Sequence, residues 1–165
     1  MNAVSDSTPL IHLAKIGKIN LLKKLFDEII IPRAIYQEIF AGKNNGRNEI
    51  LMIEELIKEK FIIIKEPKNI AEIENLDNGE KECISLCKEL NINNILIDEL
   101  KGFDIAQLFD LTPVRTTSIL IILLDKKMIN LNEYKELLKK LLSGGYFLNA
   151  SIYEKLLNIG KNLSK

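Results

Sequence analysis

Short apolar runs separated by stretches of helical apolar spacing are the feature that most restricts how this chain can fold. The runs are Ala3-Val4-Ser5, Glu28-Ile29-Ile30-Ile31 ending at Pro32, Phe61-Ile62-Ile63-Ile64-Lys65, Asn94-Ile95-Leu96-Ile97-Asp98 and Thr112-Pro113-Val114-Arg115. An unbroken β-branched run such as Ile29-Ile30-Ile31 suits a strand buried on both faces. Strand and helix alternating in this way imply a mainly parallel sheet with helices on both sides. The expected fold is therefore α/β, a three-layer α/β/α arrangement with a central sheet of about four to five strands and extra C-terminal helices. Residues 1–165 are expected to form a single domain, with residues 130–165 as a C-terminal helical extension.

Local signals predict the boundaries. Thr8 is suited to cap a first helix that has Pro9 at its first position and stops at Gly17. Asn20 is expected to cap a second helix, Leu21 to Phe26. A helix from Arg33 should close at Gly42, followed by a polar loop over residues 43–48. Asp77-Asn78-Gly79-Glu80 opens a helix whose Cys83, Ile84, Cys87 and Leu90 recur at helical spacing. Two last helices start near Asn132 and Ser151, are separated by Gly144-Gly145, and should end by Gly160.

The 23 basic and 23 acidic residues cancel, so any polyanion site must be a local patch rather than an overall field. The longest apolar run, Ile119 to Leu124, falls far short of the roughly 20 residues that span a bilayer. With no basic-then-apolar leader pattern at the start, a soluble cytoplasmic protein is expected, with no membrane partner. Cys83 and Cys87, one helical turn apart, read as small core residues in a reducing compartment.

Open parallel sheets place their ligand sites at the carboxyl ends of the strands. The first strand delivers Asp6 there, and the fourth delivers Asp98 and Glu99. Glu38 lies in the helix after the second strand, and Glu80 begins the helix before the fourth. Four carboxylates from distant segments are thus placed to meet at one mouth. Each also has a plainer reading. Asp6 can be a turn residue, Glu38 a surface residue beside Tyr36, and Glu80 the partner of Asp77 in a capping box. His12 reads as a helix-surface or half-buried histidine.

Three stretches, VSDSTPLIHLAKIGKINLLKKLF, IIIPRAIYQEI, and LDNGEKECISL followed by NILIDE, together resemble the PIN-domain nucleases. The likeness is strongest to the small prokaryotic PIN-like group found in toxin–antitoxin modules, and it runs across residues 3–125. It implies that Asp6, Glu38, Glu80 and Asp98 form an acidic metal-binding set and that Ser7 supports the first Asp. The pattern departs from the family at Glu99-Leu100-Lys101-Gly102, so Glu99 or Asp104 could supply the last ligand. It departs again at Arg115-Thr116-Thr117, where relatives carry a small glycine flanked by threonine; an arginine there could reach a phosphate or crowd the site.

The implied activity is hydrolysis of phosphodiester bonds in single-stranded RNA, by a toxin with a cognate antitoxin or by a related RNA-processing enzyme. Such chemistry suits Mg²⁺ or Mn²⁺, hard cations that take oxygen ligands. A single histidine and a helix-spaced cysteine pair do not make a zinc site. Arg33, Lys101 and Arg115, near strand ends, are the expected phosphate contacts. The family and surplus apolar helix surface suggest a homodimer. The alternatives are a PIN-like module that binds RNA or a partner without cleaving, and a phosphoacceptor receiver domain. The receiver fits poorly, because its first strand should supply an acidic pair, whereas here one acid is followed by Ser7-Thr8.

Overall fold

The computed structural model describes residues 1–41 and 47–165. Gly42 and most of the expected polar loop lie outside the described residues. Two compact units are present, Met1–Val114 and Arg115–Lys165.

The first unit carries strands β1 (Ala3–Ser5), β2 (Ile29–Pro32), β3 (Ile62–Lys65), β4 (Asn94–Leu96) and β5 (Thr112–Val114). Its helices are α1 (Ser7–Lys15), α2 (Arg33–Ile39), α3 (Asn48–Lys58), α4 (Asn78–Leu90) and α5 (Leu100–Leu108). The strands form one sheet in the order β3-β2-β1-β4-β5, and each neighbouring pair is parallel. Ala3 and Val4 of β1 and Ile95 and Leu96 of β4 are fully buried, as the central strands of a sheet covered on both sides must be. The chain steps outward from β1 through β2 to β3, then crosses back to β4 on the other side of β1. With right-handed crossovers, that reversal puts α1 and α3 on one face of the sheet and α4 and α5 on the other. The same order removes the receiver reading, whose sheet runs 2-1-3-4-5 and seats β3 beside β1.

Three boundaries differ from the expected ones. The first helix begins at Ser7, with Asp6 and not Thr8 at the N-cap. Asp6 N–H donates to Leu96 O at 2.9 Å, so the sheet ladder continues through Asp6 and the helix must start on the next residue. The expected second helix is a 3₁₀ segment, Ile19–Lys24, and Asn20 lies inside it rather than capping it. A six-residue piece is too short to repay α-helix nucleation, and a tighter connector takes its place.

The third difference lies in the second unit, which packs α6 (Thr116–Asp125), α7 (Leu131–Ser143) and α8 (Ala150–Leu163) together. Helix α8 runs past Gly160 instead of ending there. Tyr134 of α7 is fully buried, and its hydroxyl donates to Leu156 O at 2.8 Å. A Cβ at Gly160 would stand 2.6 Å from Tyr134 Cε1. The glycine therefore admits the ring rather than stopping the helix. Gly160→Ala should destabilise the protein by about 1–3 kcal/mol through this overpacking, although alanine is the better helix former by about 1 kcal/mol. Urea unfolding would check it; a variant more stable than the parent would show that the ring can move aside. Among the described residues no helix is long and apolar enough to cross a membrane.

Candidate active site

The strand order reverses between β1 and β4, and a doubly wound sheet binds its ligand in the crevice at that point. Ser5 pairs with Leu96 in register, so the two strands end level and Asp6 leaves the sheet at the crevice. Asp6 is 8% exposed. Its backbone is fixed by the bond to Leu96 O, and Ser5 Oγ donates to its carbonyl at 2.8 Å. Behind it, Cys83 Sγ donates to Ser5 O at 3.5 Å. Burial pushes both free thiols up, Cys87 to about 12, which fits inert core residues.

Burial also raises Asp6, to about 7. The Ser7 backbone N–H pulls it down, while the charges of Glu38, Glu80 and Asp77 push it up. Two of the other three carboxylates picked from the sequence, Glu38 and Glu80, therefore act on Asp6. Ser7 Oγ donates to Glu38 Oε1 at 2.6 Å, which ties the helix after β2 to the start of α1. A Cβ at Gly79 would lie 3.7 Å from Glu38 Oε2 and 2.7 Å from Ile35 Cδ1, so this glycine lets the first turn of α4 close on α2.

Glu80 is buried, and its capping box with Asp77 is complete. Glu80 N–H donates to Asp77 Oδ1 at 2.8 Å, and Asp77 N–H donates to Glu80 Oε2 at 3.2 Å. The box occupies one oxygen of each carboxylate. Glu80 Oε1 faces α5, where a Cβ at Gly102 would come within 2.7 Å of it. Burial raises the Glu80 carboxyl above its ordinary value; the Asp77 N–H lowers it, Asp77 and Glu99 raise it by charge, and Lys101 lowers it.

Asp98, half-buried two residues beyond β4, raises His12 of α1 by its charge, while burial foremost and then Lys15 lower that histidine. Glu99 is the N-cap residue of α5, and Asp104 is exposed on the same helix. Arg33 is exposed and pairs through Nε with Glu66 at 2.9 Å. Arg115 is the N-cap residue of α6 and the first residue of the second unit. Asp77 is the member of the cluster that a reading of it as a helix cap alone leaves out. Its position three residues before Glu80, at the mouth where Glu80 was expected, was the available signal.

Among the described residues, no group of three or more His, Cys, Asp or Glu is arranged to hold a metal ion. The donor chemistry nonetheless fits a hard cation: all the clustered groups are carboxylates, and Asp6 is raised to about 7 by burial first and then by the charges of Glu38, Glu80 and Asp77. Mg²⁺ needs only one or two carboxylates, because it retains several waters.

A doubly wound parallel sheet with a buried aspartate at its switch point, raised in part by the charges of two glutamates, defines an α/β domain with acidic groups at its strand ends. The chain belongs to the PIN-domain family, whose model matches residues 2–161. PIN domains are generally nucleases, hydrolases that typically use divalent metal ions. Comparison with curated proteins and with solved structures found no match.

Proposed function

We propose that this chain is an Mg²⁺- or Mn²⁺-dependent endoribonuclease acting on single-stranded RNA. The observation that carries the reading is Asp6, a buried carboxylate at the end of the central strand that the charges of Glu38, Glu80 and Asp77 push up. Crowding like charges around a desolvated acid is unfavourable unless a cation is shared among them.

In this reading Asp6, Glu38, Glu80 and Asp98 hold the ion. When bound, it would neutralise phosphate charge and acidify a water molecule. Ser7 holds Glu38 in place through its hydroxyl. Lys101 offsets Glu80 and, with Arg33, receives the phosphate backbone. In-line attack of water on phosphorus, with the 3′ oxygen leaving, gives a 5′ phosphate and a 3′ hydroxyl.

Cleavage of single-stranded RNA should stop in EDTA and return with Mg²⁺ or Mn²⁺, leaving 5′-phosphate ends. Cutting that persists in EDTA, or products with 2′,3′-cyclic ends, would rule the mechanism out. Gly102→Ala should lower cleavage at least tenfold, because a two-metal or one-metal site tolerates little displacement of a ligand such as Glu80. Cleavage by a folded Gly102→Ala protein at the parent rate would remove Glu80 from the machinery.

The cytoplasmic toxin role, with an antitoxin as partner, rests on the family resemblance. Induced growth arrest that disappears in Asp98→Asn would support it. A homodimer is favoured by exposed apolar side chains of the second unit, including Phe147 at 88% exposure. A non-cleaving RNA-binding module is the second reading. It is favoured by Ser7 and the capping box, which already engage oxygens of Glu38, Asp77 and Glu80.

A further inference from the structure

Helix α2 carries Glu38 on one side and an aromatic pair on the other. The Tyr36 and Phe40 rings lie 4.7 Å apart between centroids, tilted by 30°. Both are half-buried, and together with Gln37 of α2 and Glu54 of α3 they line an open cleft of about 530 Å³. At 3.6 residues per turn, Tyr36 and Phe40 share a face, while Glu38, two positions from each, lies almost opposite.

We propose that this cleft binds one unstacked nucleobase of the RNA substrate and thereby sets base preference near the cut. The inference rests on the ribonuclease reading and deepens it. Single-stranded RNA is read by splaying bases onto aromatic rings and hydrogen-bonding their edges, and the cleft offers both parts. The rings supply the stacking surface. The Gln37 amide both donates and accepts, and the Glu54 carboxylate accepts from an exocyclic amino group. Glu54 is also paired with Lys58 at 3.6 Å, which tempers its repulsion of the RNA backbone.

The charged group among the described lining residues is the Glu54 carboxylate, which repels a phosphate, so a base suits the cleft better. Since α2 with its side chains is roughly 10–12 Å wide, a base seated here lies a nucleotide or two from a bond held at Glu38. An (i, i+4) aromatic pair also helps to stabilise a short helix, so the test must separate that role from base binding.

Binding of a labelled single-stranded RNA is measured by fluorescence anisotropy in an Asp98→Asn background, with an abasic oligonucleotide of equal length as control. Tyr36→Leu with Phe40→Leu keeps the apolar contact while removing the rings. Affinity for the RNA should fall about tenfold or more, with abasic binding and melting temperature unchanged. Gln37→Ala, exposed and outside the ring contact, should flatten base preference in a randomised-sequence cleavage assay on the otherwise wild-type chain. Equal losses on RNA and abasic strands, or an unaltered preference in Gln37→Ala, would overturn the proposal. Binding that depends on the rings in a protein that never cleaves would sink the nuclease reading and leave the base site standing. Cleavage that ignores all three substitutions would do the reverse.

Discussion

Asp6→Asn is expected to abolish RNA cleavage and at the same time make the metal-free protein more stable at pH 8. The two effects have one origin. An aspartate titrates near 3.8 when unfolded, whereas Asp6 in the folded chain is raised to about 7. Between those values the folded state holds a proton that the unfolded state has lost, so stability falls as the pH rises through that window. Above it the whole penalty is present, with a ceiling of about 4 kcal/mol for a shift of this size. Burial raises Glu80 too, which acts in the same sense.

Asparagine keeps the shape and can still accept the Ser7 N–H, but carries no charge. No bond to the N–H groups further along the first turn is lost, because the Asp6 side chain makes no capping bond there. Chemical denaturation between pH 4 and 8 would give a falling curve for the parent and a flatter one for Asp6→Asn. His12 works the other way: its lowered pKa makes acidification unfavourable near its own titration, so the comparison isolates Asp6. Parallel curves for the two proteins would mean that Asp6 is well solvated and that the site is not under electrostatic stress.

The features of the sequence that foretold the sheet are those whose cause is local. Ile29-Ile30-Ile31 and Ile62-Ile63-Ile64 read as strands and pair with each other. The first is fully buried and the second, at the sheet edge, is half-buried beyond Ile62. Asp77 with Glu80 closes the capping box its spacing announced. Where the cause is remote, the reading slipped. Thr8 lost the N-cap because β4, ninety residues later in the chain, captures the Asp6 N–H and moves the end of β1. Gly160 looked like a helix stop, but it answers to the ring of Tyr134 in the preceding helix. The strand order 3-2-1-4-5 is likewise a tertiary fact, and it decides which strand ends share a crevice.

The site shows the same division. Asp6, Glu38 and Glu80 were visible as acids at the right ends of elements, and the action of the two glutamates on Asp6 follows from the topology. Asp77 was visible only as a cap, because one residue here performs a local and a long-range task together. The positions of Gly79 and Gly102 against Glu38 and Glu80 could not be inferred from spacing, since each meets a side chain from another helix.

Mg²⁺ is expected to reverse the stress that Asp6 creates, and this gives the sharpest separation between a metal site and a merely acidic pocket. A cation bound among Asp6, Glu38 and Glu80 favours their ionised forms, so it stabilises the folded chain most where Asp6 is otherwise hard to ionise. At a hundredfold excess over its dissociation constant, one bound ion contributes about 2.7 kcal/mol. For a chain of this size that corresponds to roughly 5–10 °C in melting temperature. The gain should be largest at pH 8, shrink towards pH 5 as Asp6 takes up a proton, and vanish in Asp6→Asn. Calcium, a larger oxygen-seeking ion, should reproduce part of the stabilisation without supporting cleavage if ligand number and cavity size matter as they do for Mg²⁺. A melting temperature indifferent to Mg²⁺ at pH 8, or a gain equally large in Asp6→Asn, would place any bound ion away from this pocket.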